Sequence, residues 1–346
     1  MTTILGRILH TSHAGPVLPS CRRPGRPHAV RPPTPASGGS VTALVRDPIR
    51  LPARTAGRPP AAGAASLALR PLLDPPRRPA RVIAVFPAAL YLEMRGGPEP
   101  RVLAVVTCDA GRLPNAVVVV ASRRQHPFRS VREGAEAFVG DGRIEAEGLT
   151  VRVRRWWDPS PALGAVRPDV LARGLRDLEA ELTAAGALTA AGPSGGGLSG
   201  HPDPGALAAA CAAGDLAGAV EAGERIVGLG PGLTPTGDDI LCGLLVSLRL
   251  VGGAVRNPGA VRLADWLGAA VTADAGTRTT ALAATLLHCA AAGHAGAEVA
   301  AVLRGVAGHE PPGTAVRRLL AVGHTSGTDL AHGVLAGCRA ALGGRV

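Results

Sequence analysis

The sequence predicts an α+β protein: a small β-rich N-terminal domain followed by a helical C-terminal domain, with a disordered leader in front. Three observations carry this. Residues 1–79 are rich in Pro, Arg, Ala and Gly, as in RPPTPASGG and RTAGRPPAAGAA, and such a stretch has little apolar surface to offset the entropy of ordering it. From Arg81 onward short apolar runs alternate with GGP, DAGRLPN and GDG turns, the pattern of short strands. After Trp157-Asp158-Pro159 the apolar period becomes helical. The expected parts are therefore a leader over 1–79, a β-rich domain over 80–160 and a helical domain over 161–346.

Within the β-rich part, Arg81–Phe86, Val102–Thr107, Ala116–Val120, Arg143–Glu145 and Leu149–Val153 read as strands, and Ser130–Phe138 as a short helix among them. Pro168–Ala185 has Leu171, Leu175, Leu178 and Leu182 on one face, the stripe of an amphipathic helix. Gly192–Gly205 is a flexible GPSGGGLSGHPDPG loop. Ala206–Val227 reads as one or two Ala-rich helices. Ile240–Leu250, Val261–Asp274, Thr279–Ala292, Ala297–Val306, Thr314–Ala321 and Asp329–Leu342 are further helices. Their Ala and Gly content predicts close helix contacts.

Composition narrows the function. The chain has 346 residues and 46% hydrophobic content, ample for a core, but only 2% aromatics, so that core must be built from Ala, Leu and Val. The formal charge is +11, and all 37 basic residues are Arg because no lysine occurs. With heavy Ala, Gly and Pro use this reads as the imprint of a GC-rich genome, and no nucleic-acid partner is expected. The absence of lysine excludes a G-x-x-x-x-G-K-[ST] phosphate loop, and no cofactor is expected. The six cysteines include no C-x-x-C pair, which argues against a zinc ribbon or a disulfide framework and for a reducing cytoplasm. No secretory signal and no membrane-spanning run is read.

The stretch around which the rest is arranged is Gly228–Asp239, GLGPGLTPTGDD, followed by the apolar run Ile240–Val251. Gly and Pro build a tight loop, Thr236 is the natural N-cap, and Asp238 and Asp239 fall in the first helical turn. Unpaired amides and the positive helix end there favour an anion. A near-copy follows: Ser326-Gly327-Thr328-Asp329-Leu330-Ala331-His332-Gly333-Val334-Leu335 repeats Thr236-Gly237-Asp238-Asp239-Ile240-Leu241-Cys242-Gly243-Leu244-Leu245 as hydroxyl, Gly, any, Asp, three residues, Gly, any, Leu. The second Gly of each copy lies four residues past the Asp, where a missing side chain lets another helix approach. The repeat predicts paired helix starts whose aspartates share one pocket.

GLGPGLTPTGDDILCGLL and GHTSGTDLAHGVLAG resemble the two signature stretches of the oxamate carbamoyltransferase AllH-like subunit family, and RVIAVFPAALYLEM, PNAVVVV and RRWWDPSPAL follow in the matching order, so the resemblance runs from about Arg81 to Leu342. It implies one subunit of a multi-subunit enzyme that moves a carbamoyl group between oxamate and phosphate in allantoin breakdown, with partner subunits and a small anionic substrate (oxamate, carbamoyl phosphate or phosphate).

The candidate chemistry is spread over three stretches. Gly230, Gly232, Thr234, Thr236 and Gly237 line the first loop, with one of Asp238 and Asp239 binding or accepting a proton and the other capping. The carboxylates could equally hold a divalent metal, and no metal is assigned. Thr277-Arg278-Thr279-Thr280 sets a guanidinium between hydroxyls at a helix start, suited to phosphate or carboxylate through Arg278, Thr279 and Thr280. A solvated capped helix explains the same letters. His324, Thr325, Ser326, Gly327 and Asp329 form the third stretch, with His324 placed for proton transfer or anion contact. His288, Cys289 and His294 have metal-ligand types but read as core packing, as do Trp156 and Trp157 at the domain junction, with a polar tip on one of them. The other reading of the whole is a non-catalytic small-anion-binding or regulatory module.

Overall fold

The computed structural model describes residues 59–189, 192–194 and 196–343. Residues 61–157 form an eight-stranded closed barrel: β1 Ala61–Ser66, β2 Arg78–Val85, β3 Ala89–Met94, β4 Val102–Val106, β5 Ala116–Val119, β6 Glu136–Gly140, β7 Arg143–Ala146 and β8 Leu149–Trp157. The strand order is β1-β5-β4-β3-β2-β6-β7-β8, and β8 closes the ring by pairing in parallel with β1. The β6–β7 hairpin turns through Asp141-Gly142, both at positive φ, the two-residue turn whose twist matches that of the strands. Inward residues such as Val82, Leu92, Leu103, Val117, Val139 and Ile144 fill the barrel.

The barrel differs from the sequence reading at three places. Part of the stretch assigned to the leader is structural: β1, the short helix α1 (Arg70–Leu73) and the start of β2 lie before residue 80. Ala65, Leu69, Leu72 and Leu73 are at most 1% exposed within the barrel core. The Ala- and Gly-rich letters of β1 are what its position demands, since a Cβ at Gly63 would lie 2.8 Å from Val117 Cγ1 and 2.9 Å from Val151 Cγ1. Residues 1–58 of the expected leader lie outside the described residues. The second difference is Ser130–Phe138, which is not a helix: turns lead into β6, whose residues pair with β2 and β7. Ladder pairing there overrides the helix preference of Glu and Ala. β3, also unread in the sequence, completes the ring between β2 and β4.

The helical part comprises α2 Pro168–Ala184, α3 Pro202–Ala213, α4 Leu216–Ile226, α5 Thr236–Ala254, α6 Pro258–Ala273, α7 Ala275–Arg278, α8 Ala281–Ala291, α9 Ala297–Val306, α10 Pro312–Leu320 and α11 Ser326–Leu342, with a two-strand ladder, β9 Leu188–Thr189 and β10 Gly192–Pro193, after α2. Of the one or two helices expected over Ala206–Val227 there are two, separated by Gly214 in the left-handed region, a common helix stop. α5 is central: every residue from Thr236 to Leu248 is buried, and α4, α6, α8 and α11 pack on it. Its core is Leu, Val and Ala as composition requires.

Barrel and helices share a polar seam. Thr285 Oγ1 accepts the Val102 amide (3.1 Å) and donates to Glu99 Oε2 (2.8 Å), while Glu99 Oε1 holds Arg101 Nε at 2.7 Å. Arg70 lies 4.9 Å from the Trp156 ring centre and Arg112 5.4 Å from that of Trp157. Both rings thus carry stacked guanidiniums, and the Trp157 Nε1 is buried without a partner, so that ring has no hydrogen-bonded polar tip. Among the described residues the cysteines are free, and no helix is long and apolar enough to cross a membrane.

Leu72 tests the revised start of the ordered chain. Leu72→Ala should lower unfolding free energy by about 2–5 kcal/mol, the usual range for a buried leucine truncated to alanine, measured as a lower urea midpoint. An unchanged midpoint would return this segment to a leader.

Candidate functional site

Both copies of the repeated motif open a helix, and each glycine has one geometric task. A Cβ at Gly237 would collide with the carbonyl oxygen of Ile226 at the end of α4, and one at Gly327 with that of Leu319 near the end of α10. One turn past each aspartate the helices meet each other. A Cβ at Gly243 would strike the Leu330 carbonyl oxygen, and one at Gly333 the Ile240 carbonyl oxygen. The contact is reciprocal, so α5 and α11 cross backbone to backbone about an approximate internal two-fold.

That crossing brings the motif hydroxyls to the opposite carboxylates. The Ser326 hydroxyl lies near enough to Asp239, and that of Thr236 near enough to Asp329, to draw the carboxyl pKa downward. Thr234 Oγ1 and Ser326 Oγ hydrogen-bond each other at 3.1 Å, and Thr234 pulls the Asp239 carboxyl in the same direction. Asp329 accepts the Gly197 amide on Oδ1 at 3.0 Å, and the Thr325 hydroxyl also draws its pKa downward. Thr236 is accordingly not the N-cap: Pro235 takes that position and Thr236 lies one residue inside α5, because its hydroxyl is directed to Asp329.

Asp239 and Asp329 are 4% and 1% exposed, and the Oδ2 atom of each is buried with no hydrogen-bond partner. Burial pushes the Asp239 carboxyl up to about 7, against the pull of Ser326 and Thr234, and the charges of Asp329 and Asp238 add to the rise. Burial raises Asp329 and Asp238 as well. A buried carboxylate short of donors is costly unless it is protonated or a donor reaches it.

Asp238 differs from its neighbour in having both oxygens engaged. Oδ1 accepts the Gly228 amide at 3.0 Å and Oδ2 the Thr279 hydroxyl. Thr280 caps α8 by accepting Ala283 N (3.0 Å) and donates to the Leu233 carbonyl at 2.6 Å. Arg278 donates to the Glu224 carbonyl and lies 3.4 Å from Asp274. The Thr277–Thr280 stretch is thus fastened to the glycine loop. Gly230 and Gly232 both have positive φ and shape that loop. The α5 amides expected for an anion are already used: Gly237 N bonds to the Leu229 carbonyl, and Asp238 N and Asp239 N to that of Pro235.

The two aspartates line two cavities, where the repeat predicted one shared pocket. Asp239, Thr234, Ser326, Cys242 and Gly323 wall a cavity of about 260 Å³, completed by Tyr91 from β3, His294, and Glu298 from α9. Asp329 and His332 wall another of about 500 Å³ against α3. His324 is exposed and lines neither. Tyr91, Glu298 and His294 were not assigned to a site by the sequence, and their only common signal is three-dimensional. His294 is held below its ordinary pKa by burial and Tyr91 above it. No arginine lines the Asp239 cavity, and its two acids, buried Asp239 and half-buried Glu298, stand where an anion was expected. Among the described residues no group of three or more His, Cys, Asp or Glu is arranged to hold a metal.

Asp239 makes stability fall as pH rises. Its carboxyl titrates near 7 when folded and near 3.8 ordinarily, so between these values the folded chain holds a proton that the unfolded chain has released. Stability is greatest below the lower value and is lost toward the upper one, by up to roughly 1.4 kcal/mol per pH unit. Asp239→Asn should flatten this part of the melting-temperature profile between pH 4 and 7; a profile of unchanged slope would contradict the assignment.

No curated protein and no solved structure matches the chain. One family model does, over residues 226–338, a narrower stretch than the resemblance from Arg81 to Leu342, leaving the barrel outside. It begins at the last residue of α4 and ends within α11, so it takes in both glycine-aspartate motifs. The segment that brings Asp239 and Asp329 together is thereby matched to the family described as oxamate carbamoyltransferase subunit AllH.

Proposed function

We propose that the chain is a subunit of a carbamoyltransferase-type enzyme acting in allantoin or purine breakdown, and that the Asp239 cavity holds the amide-bearing end of its small substrate. The observation that carries this is Asp239 itself, a nearly fully buried carboxyl with one unpartnered oxygen beside two hydroxyls, in a cavity lined mostly by the matched segment. A carbamoyl group offers N–H donors and a carbonyl acceptor. Asp239 takes a donor while Thr234 or Ser326 donates to the carbonyl.

A carboxyl poised at about 7 exchanges protons at neutral pH, the property of an efficient general acid or base. In the direction that consumes oxalurate, a phosphate oxygen attacks the carbamoyl carbon and the carbon–nitrogen bond to oxamate breaks. The departing nitrogen takes the Asp239 proton, and carbamoyl phosphate and oxamate result. In this reading Asp238, Arg278, Thr279 and Thr280 hold the loop, Thr236, Gly237, Thr325 and Gly327 set the helix crossing, and His324 faces solvent. The phosphate and carboxylate charges need a cation that the lining of this cavity lacks, which fits a partner subunit completing the site. The same lack favours a second reading, a binding module without turnover.

Oxamate or oxalurate at a hundred times its Kd should add roughly 2.7 kcal/mol of stability, seen as a higher melting temperature and lost in Asp239→Asn. Phosphate-dependent carbamoyl transfer by the chain copurified with its partners selects the enzyme; binding without transfer selects the module. No shift with either compound or with carbamoyl phosphate rejects both.

A further inference from the structure

The internal two-fold relates the walls of the two cavities as well as the helices. Four positions of the motif register recur. Asp239, Cys242 and Val246 of α5, with Leu330 of α11, line the smaller cavity. Asp329, His332 and Ala336 of α11, with Ile240 of α5, line the larger. Each cavity is thus built from the same face of one helix and the same crossing residue of the other. Repetition of a wall with its buried, half-satisfied carboxylate is hard to ascribe to packing, because an apolar residue there would remove the cost of burying an acid short of donors.

The larger cavity has its own chemistry. Asp329 is 1% exposed; Gly197 N satisfies its Oδ1, and its Oδ2 has no partner. Where the first cavity has Cys242, this one has His332, whose Nε2 lies 2.8 Å from the Ala187 carbonyl oxygen. A carbonyl only accepts, so Nε2 carries the hydrogen and Nδ1 of the neutral ring is an acceptor. Arg339, the arginine of this lining, is held by Glu179 at 2.8 Å. The uncommitted polar groups of Asp329 and His332 are therefore acceptors, and the remaining wall is largely aliphatic. Its volume, about 500 Å³, falls in the range of small-molecule sites.

We infer that the cavity beside Asp329 is a second ligand site, separate from that of Asp239, and that it takes a small primary amine. The ammonium head lies against Asp329 and His332, and the short aliphatic body among Leu207, Ile240 and Leu335. An ammonium brings three donors and a compensating charge to a buried carboxylate, which strengthens each hydrogen bond. An anion would meet the same carboxylate as a repulsion.

The test is a thermal-shift titration of the full chain with n-butylamine hydrochloride at constant ionic strength, with sodium butyrate and potassium chloride as controls. The expected result is a saturable rise in melting temperature with butylamine and none with either control. Asp329→Asn and Ala208→Trp, the latter filling the cavity from α3 without touching the carboxylate, should each weaken the apparent Kd at least tenfold. Asp239→Asn should leave it unchanged, so this inference and the proposed function fail separately. If Asp329→Asn loses its helical circular dichroism, Ala208→Trp decides. No saturable shift, an equal shift with potassium, or an unaltered Kd in Ala208→Trp would overturn the inference.

Discussion

The structure depends on one contact: the backbone-to-backbone crossing of α5 and α11 at Gly243 and Gly333. Any side chain at either position would occupy a carbonyl oxygen of the other helix. Because the helices touch there, their first turns lie close enough for hydroxyls to reach across, Ser326 to Asp239 and Thr236 to Asp329. Gly237 and Gly327 let each first turn rest on the helix before it. The carboxylates are thereby taken out of water with too few donors, and the raised pKa values follow from burial.

The rest of the chain holds this crossing in place. Asp238, Thr279 and Thr280 tie the glycine loop to the start of α8, while the loop at Gly196 and Gly197 closes over Asp329 and Thr236. The barrel contributes a wall to the Asp239 cavity through Tyr91 and is joined to α8 through Glu99, Thr285 and Val102. A core poor in aromatics suits such an arrangement, since Ala and Gly let helix axes approach where large rings would separate them.

Much of this was legible in the sequence where the signal was local. The duplicated Gly-x-Asp pattern located both helix starts, and the glycine one turn on located the helix contact. Leu171, Leu175, Leu178 and Leu182 marked α2, and all four are buried. What escaped depended on distant partners. β1 looks like low complexity until Val117 and Val151 explain its small residues, and β6 looks helical until β2 pairs with it. Thr236 looks like a cap until Asp329 claims its hydroxyl. Nor can spacing reveal that two equivalent aspartates open to opposite cavities, since that follows from the direction in which the helices cross.

The reciprocal contact of α5 and α11 is the kind found between the subunits of an isologous dimer, where residue i touches j and j touches i. Here both halves belong to a single polypeptide, which removes the restriction that a true homodimer imposes on itself. In a homodimer a substitution appears twice, and two sites related by the axis stay identical. In this chain Cys242 and His332 occupy the same register position yet differ, as do Val246 and Ala336. With both halves in one chain the symmetry is a scaffold in which each half can differ, one frame supporting two unlike chambers.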